Sequence, residues 1–272
     1  MLKDIQQQKQ YKVLLIGDSC TDVYHYGRSD RTCSERRSPM SPAPVLLHER
    51  TESFPGMASN VNKNLLSLDI QVEFITNKEV IRKERFVTSD GLDTLLRFDT
   101  HDFCKPVEED SIANLDLDSY DAIVISDYNK GFISCHIPKY IRKNFTGPIF
   151  VDSKKTDLTC YDGCIIKINS FEFNRANIIP ENCDLIVTKR ALGATWGGKT
   201  YPTFDVEAID VCGAGDSFLS GLVFMYLRTK SIDSSMRFAN FCASKSLDKI
   251  GNKILSLQDI EDYESIGEKD IV

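Results

Sequence analysis

"YKVLLIGD", residues 11–18, is a short apolar run that closes on Gly17-Asp18. It does not alternate between polar and apolar residues, so both faces of the strand it predicts need cover. A parallel sheet sandwiched between helices provides that cover. The pattern returns as "YDAIVISDY" (120–128), "GPIFVD" (147–152), "CIIKIN" (164–169) and "CDLIVTK" (183–189). These runs end at Asp18, Asp127, Asp152, Asn169 and Lys189. Sites in open α/β sheets form outside the carboxyl ends of the strands, which makes those five positions the first candidates for chemistry.

Helical segments fill the gaps. "ASNVNKNLLSL" (58–68) puts Val61, Leu65 and Leu68 on one face, while "FISCHIPKYIRKNF" (132–145) carries Pro138 and predicts a late start or a bend. Residues 218–227 and 231–251 read as two more helices. Two stretches break the rhythm. Residues 24–50 are basic, proline-marked and too polar for core, and residues 82–103 alternate like two strands around the Asp90-Gly91 turn. A small sheet standing off the main body, a lid, is expected from both.

The 272 residues, 42% apolar and 27% charged, are expected to form one soluble domain spanning 1–272. A formal net charge of -7 offers no general attraction to nucleic acid or to an anionic membrane. Nine scattered cysteines without a two-residue spacing suit a reducing compartment. The polar start "MLKDIQQQKQ" is unlike a secretory leader, and no uncharged run is long enough for a bilayer, so a cytoplasmic location is expected.

"VCGAGDSFLSGLVFMYLR" (211–228) sets Asp216 just after Gly213 and Gly215 and just before a long apolar run. A helix beginning there presents unpaired N–H groups to an anion, and glycines let a ligand approach the backbone closely. A carboxylate at that point suits deprotonation of an attacking hydroxyl during phosphoryl transfer; it equally suits a helix cap. These residues alone leave both readings open. Neither a G-x-x-x-x-G-K-[ST] loop nor a G-x-G-x-x-G turn is present.

"CGAGDSFLSG" (212–221) resembles the carboxyl-side signature of the ribokinase-like (PfkB) carbohydrate kinases. "GDSCTDVYHYG", "RRSPMSPAPV", "FPGMASNVNKNLLSL", "LLRFD", "ISDYNKG", "VDSKKTD", "KINSFEF" and "VTKRALGATW" follow in family order across nearly the whole chain. The "SDYNKG" run and the proline-rich segment point to the heptose 7-phosphate kinase branch. The resemblance implies a three-layer α/β sandwich with a mainly parallel sheet and a β lid. It also implies ATP-dependent phosphorylation of a sugar or sugar phosphate, most closely D-glycero-β-D-manno-heptose 7-phosphate at its anomeric hydroxyl. Asp216 matches the catalytic base, and the Gly213, Ala214 and Gly215 backbone matches the anion hole. Asp22, Gly56, Asn60 and Lys154 match substrate-side positions. By their own chemistry Arg36, Arg37 and Arg82 either meet a sugar phosphate from the lid or are ordinary exposed arginines. Asn169, Thr188, Lys189, Gly193 and Asn240 fall on the nucleotide side, and Glu172 on the Mg2+ region. The implied partners are sugar, ATP and a second copy of the chain docked through the lid. Read without the resemblance, Lys154 and Glu172 are solvated charges and Asn240 lies on the wet face of a helix.

The chain departs from the family pattern at several points. Met57 stands where a second glycine is usual, Met40 where the heptose kinases carry glutamate, and Ser153 where proline is usual. After "EFITNKE" about one β-α-β unit is missing, which predicts a smaller outer sheet. Met57 and Met40 motivate a different sugar as acceptor. The missing unit motivates a non-catalytic binding homologue, while the retained Asp216, Asn169 and Glu172 argue for the enzyme.

Overall fold

The computed structural model describes residues 9–33, 43–204, 206, 212–247 and 254–266. In chain order the strands are β1 (Lys12–Gly17), β2 (Ser19–Thr32), β3 (Pro44–Met57), β4 (Gln71–Thr76), β5 (Arg82–Thr88), β6 (Thr94–Thr100), β7 (Ala122–Asp127), β8 (Ile149–Ser153), β9 (Ile165–Asn169), β10 (Asp184–Thr188), β11 (Ala194–Trp196) and β12 (Lys199–Tyr201). The α-helices are α1 (Ala58–Ser67), α2 (Glu109–Ala113), α3 (His136–Asn144), α4 (Ser170–Arg175), α5 (Ala214–Thr229), α6 (Ile232–Lys245) and α7 (Leu257–Ile266). All five apolar runs are strands. Pro138 lies in the first turn of α3, where its missing N–H costs nothing, so the helix starts late rather than bending.

An eight-stranded sheet runs β12-β11-β10-β9-β8-β7-β1-β4. It is parallel from β4 to β10 and antiparallel at β11 and β12. The unbroken apolar strands are explained by where their side chains go. Val13 and Leu15 of β1 join Ala122 and Val124 of β7 in a core against α1, α5 and α6. Leu14, Ile16, Ile123 and Ile125 face the opposite way, into a second core with Ile137 and Ile141 of α3. Helices therefore cover both faces, as in a three-layer sandwich. β4 closes one end of the sheet.

The smaller sheet has the order β3-β2-β5-β6, with β2 and β5 parallel and the outer pairs antiparallel. It corrects the sequence expectation in two respects. Its strands reach back to Ser19 and on to Met57, beyond the expected 24–50. Within that stretch Tyr24 and Tyr26 are buried and pack with Val87 and Phe54, so the segment builds a core of its own. Partial alternation explains why composition misled: Asp22, Tyr24 and Tyr26 on one face of β2 are buried, while Thr21 and His25 on the other are only half-buried. Arg36, Arg37 and Met40 lie outside the described residues.

Candidate active site

Two of the strand-end acids shape a loop. Asp18 is fully buried; its carboxylate accepts the Tyr128 N–H at 2.7 Å and the Phe132 N–H at 3.2 Å. Burial, and then the nearby Asp127, push its pKa up. Asp127 accepts from the Tyr161 hydroxyl, the Lys155 ammonium and the Asn129 N–H. Together they fix the loop after β7, and with it Tyr128.

The Tyr128 hydroxyl donates to Asp216 Oδ1 at 2.7 Å, and Asn60 Nδ2, from α1, donates to Oδ2 at 2.9 Å. Asp216 is 4% exposed and sits in the first turn of α5. Burial raises its pKa to about 6; Asn60 and Tyr128 pull against that by favouring the ionised form. Tyr128 is itself driven well above 10 by burial and by the Asp216 and Asp152 charges, so it stays a donor. The helix cap is Gly213 at φ 78°, a left-handed conformation that a Cβ would strain. The first N–H groups of α5, at Ala214, Gly215 and Asp216, receive no side-chain cap among the described residues. The capping reading of Asp216 fails on this geometry, because its carboxylate bonds to α1 and to the β7 loop instead.

Cations surround this helix start. Lys167 of β9, 2% exposed, donates to Asp152 Oδ2 at 2.7 Å, and a Cβ added to Gly215 would lie 2.9 Å from its Nζ. Lys154 sits between Asp152 (3.2 Å) and Glu172 (2.5 Å), so it is no solvated charge. Burial lowers its pKa but the two carboxylates outweigh that, and the net shift is upward. Asp152 moves downward, with Lys154 and Lys167 overcoming its own desolvation. On the smaller sheet Arg85 pairs with Asp22 at 2.6 Å. Asp22 lies against Gly56, where an added Cβ would come within 2.1 Å of the carboxylate. Arg82, one residue from the inward-facing Lys83, is exposed on β5.

Asn169 and Glu172 form a reciprocal capping box on α4: the Glu172 N–H donates to Asn169 Oδ1 at 2.9 Å and the Asn169 N–H to Glu172 Oε2 at 2.7 Å. Thr188 ends β10, where its carbonyl accepts from the Ser170 hydroxyl; Lys189 and Gly193 bound the turn into β11. Asn240 corrects the sequence reading, being 3% exposed rather than on a wet face, with its amide donating to the Tyr201 and Pro202 carbonyls. Among the described residues no three His, Cys, Asp or Glu side chains form a metal-binding group.

Asp22, Gly56 and Asn60 thus come together with Asp216 on one side, and Lys154, Glu172 and Asn169 on the other. Thr188, Lys189, Gly193 and Asn240 lie further along the β9–β12 side. Tyr128, Lys167, Lys83 and Arg85 were missed from the sequence. A lysine inside the apolar "CIIKIN" run was a usable signal for Lys167; nothing in the sequence marked the other three.

The family model described as "pfkB family carbohydrate kinase" matches residues 185–259. The chain is 27% identical to the bifunctional protein HldE of Nitratiruptor sp. over 308 residues, covering 93% of this chain and 65% of that protein. It is 28% identical to the HldE of Helicobacter acinonychis, covering 92% and 65%. The chain therefore spans somewhat less than two thirds of these relatives. An alignment of 308 positions that uses 93% of a 272-residue chain also opens gaps in it, consistent with a missing β-α-β unit. In fold it is similar to ribokinase from Thermotoga maritima (TM-score 0.67, 15% identity, 94% of this chain and 99% of that one). It is likewise similar to phosphofructokinase-2 from Escherichia coli (TM-score 0.68, 14%, 95% and 99%). The resemblance to the ribokinase-like PfkB carbohydrate kinases stands, on the family match for the kinase class and on the structural neighbours for the fold. No helix among the described residues is long and apolar enough to cross a membrane.

Proposed function

We propose that this PfkB-type carbohydrate kinase homologue transfers the γ-phosphoryl group of ATP to a sugar or sugar-phosphate hydroxyl, with Asp216 as the base. One observation carries the reading. A buried carboxylate with a pKa near 6, aimed by Asn60 and Tyr128, sits at the uncapped start of a sixteen-residue helix. Such a carboxylate is ionised at neutral pH yet basic enough to take a hydroxyl proton.

The acceptor hydroxyl would replace the Tyr128 contact on Asp216 Oδ1, while the Asn60 amide keeps the other oxygen in place. The free N–H groups of Ala214 to Asp216 and the positive end of α5 would receive the charge on the transferred group. Mg2+, held mainly by phosphate and water with Glu172 beside it, would neutralise nucleotide charge. Lys154 and Lys167 are already placed by Asp152. Asp22, fixed by Arg85, would orient sugar hydroxyls, and the smaller sheet would act as a lid excluding water. Thr188, Lys189, Gly193 and Asn240 would form or support the nucleotide side. Leu96 and Phe98, exposed on edge strand β6, support a homodimer through that sheet.

D-glycero-β-D-manno-heptose 7-phosphate, at its anomeric hydroxyl, is the acceptor favoured by the resemblance in "SDYNKG" and by HldE among the relatives. Met57 favours a second reading, a different sugar. Its side chain is buried at the start of α1 with φ 57°, narrowing the acceptor side. ADP release from ATP and Mg2+ against a panel of sugars and sugar phosphates, with Asp216→Asn in parallel, tests both. Turnover on the heptose phosphate that the mutant loses supports the first reading; turnover on another sugar alone supports the second. No turnover on any acceptor would overturn the kinase.

A further inference from the structure

Lys83 is 7% exposed, yet its ammonium has no carboxylate partner among the described residues. Its Nζ donates to the Met57 thioether at 2.9 Å and lies 5.1 Å from the centre of the Tyr128 ring. A thioether is a weak acceptor, and an ammonium taken out of water is costly unless it is paired. Two acids are its register neighbours across the smaller sheet, Asp22 on β2 and Asp99 on β6. Both are engaged elsewhere, Asp22 with Arg85 at 2.6 Å and Asp99 with Arg97 through two bonds of 2.8 Å. The other cations of the site, Arg85, Lys154 and Lys167, each have a carboxylate within 3.2 Å. Lys83 differs from all of them.

Its position indicates what would complete it. The ammonium lies between β5, the start of α1 and Tyr128, the residue whose hydroxyl reaches Asp216. This is the side of Asp22, its register neighbour on β2, and of Met57 at the start of α1, the helix that carries Asn60. Resting on the kinase reading above, we propose that Lys83 forms a subsite for an anionic substituent of the acceptor, a phosphate or carboxylate, with Met57 shaping its wall. The acceptor is then a sugar acid or sugar phosphate rather than a neutral sugar. Met57 gains a purpose under this reading, since an apolar wall keeps water from Lys83 and strengthens its attraction for the anion. Alternation along β5 also explains why Lys83 and not Arg82 takes this role: neighbouring residues of a strand face opposite ways.

Two measurements test the proposal. In the first, thermal unfolding of the wild type, Lys83→Met and Lys83→Arg is followed without nucleotide, with glucose, glucose 6-phosphate, heptose 7-phosphate or gluconate added. Stabilisation by an anionic sugar but not by glucose, lost in Lys83→Met and partly restored in Lys83→Arg, supports the subsite whether or not any sugar is turned over. Equal stabilisation of wild type and Lys83→Met overturns it, as does an absence of stabilisation by every anionic sugar. In the second, kcat and KM are compared on phosphorylated and neutral acceptors. The expected result for Lys83→Met is a tenfold or greater rise in KM for the phosphorylated acceptor with a much smaller change in kcat. Turnover confined to neutral sugars would discard the subsite and leave the kinase intact. A Lys83→Met defect confined to the KM for ATP would move the residue to the nucleotide side and also overturn the proposal.

Discussion

Helices α4 and α5 both begin beside the carboxyl-terminal half of the large sheet, but they begin differently. α4 closes on itself, since Asn169 and Glu172 satisfy each other's N–H groups and Lys154 holds the remaining carboxylate oxygen. α5 starts on a left-handed glycine with no side chain to offer, and its acid points away to Asn60 and Tyr128. Two motifs of similar appearance, a short polar stretch leading into a helix with an acid in its first turn, thus have opposite consequences. One helix start is spent on local stability. The other has no side-chain cap among the described residues, which leaves its dipole and donors available to the proposed phosphoryl site.

The sharpest way to break this contrast is Asp216→Asn. Loss of a general base is expected to reduce kcat by about 10²–10⁴-fold, measured as ADP release. Stability should move the other way. Burial lifts Asp216 to about 6 from 3.8, so the folded protein binds this proton more tightly than the unfolded chain. The stability tied to the proton is complete below about pH 4 and is lost as pH climbs through 6, amounting to about 3 kcal/mol. Asp216→Asn should therefore melt higher than wild type at pH 8, with the advantage gone at pH 4. A mutant less stable at pH 8 would contradict the burial argument.

Gly213→Ala follows in size. An alanine held at φ 78° costs about 1–2 kcal/mol, or about 2–4 °C of melting temperature per kcal/mol in a domain of this size. Activity should fall with it as the α5 start is displaced. An unchanged melting temperature would mean that the glycine is dispensable.

A subtler test acts on the base without removing it. The Tyr128 hydroxyl favours the charged form of Asp216, so Tyr128→Phe should raise that pKa. The acidic limb of the kcat/KM profile, expected near pH 6 in wild type, should move upward by up to about one unit. A shift to lower pH would show that Tyr128 acts by some route other than this hydrogen bond.

The smallest effect belongs to α4. Asn169→Ala removes one half of the capping box and should cost about 1 kcal/mol of stability, with kcat changed less than in any variant above. If instead the Mg2+ dependence of activity shifts strongly with little change in melting temperature, the pair serves the metal more than the helix, and the contrast between the two helix starts narrows.

Much of the architecture was legible without coordinates, for a physical reason. A strand buried on both faces has to be apolar throughout, and five such runs announced a covered parallel sheet whose residues divide between two cores. Asp216 was legible as an acid at a helix start because glycine, glycine and acid are local information, while its reading as a base rather than a cap came from the family resemblance. The strands of the smaller sheet were harder, since they are rich in polar residues and the buried tyrosines of β2 are visible only once the register is known.

The sequence by itself determined the covered parallel sheet and set Asp216 beside a helix start, because these depend on neighbours within a few residues. Only the tertiary structure decided which groups converge on that acid. Tyr128 and Asn60 are 88 and 156 residues from Asp216. Lys83 differs from the exposed Arg82 by a single step along β5. Whether a charge on a strand meets a partner, a ligand or water depends on the side to which the pleat turns it and on which acids its neighbours have already engaged. Both are set by strand pairing at long range, and local composition carries no record of them.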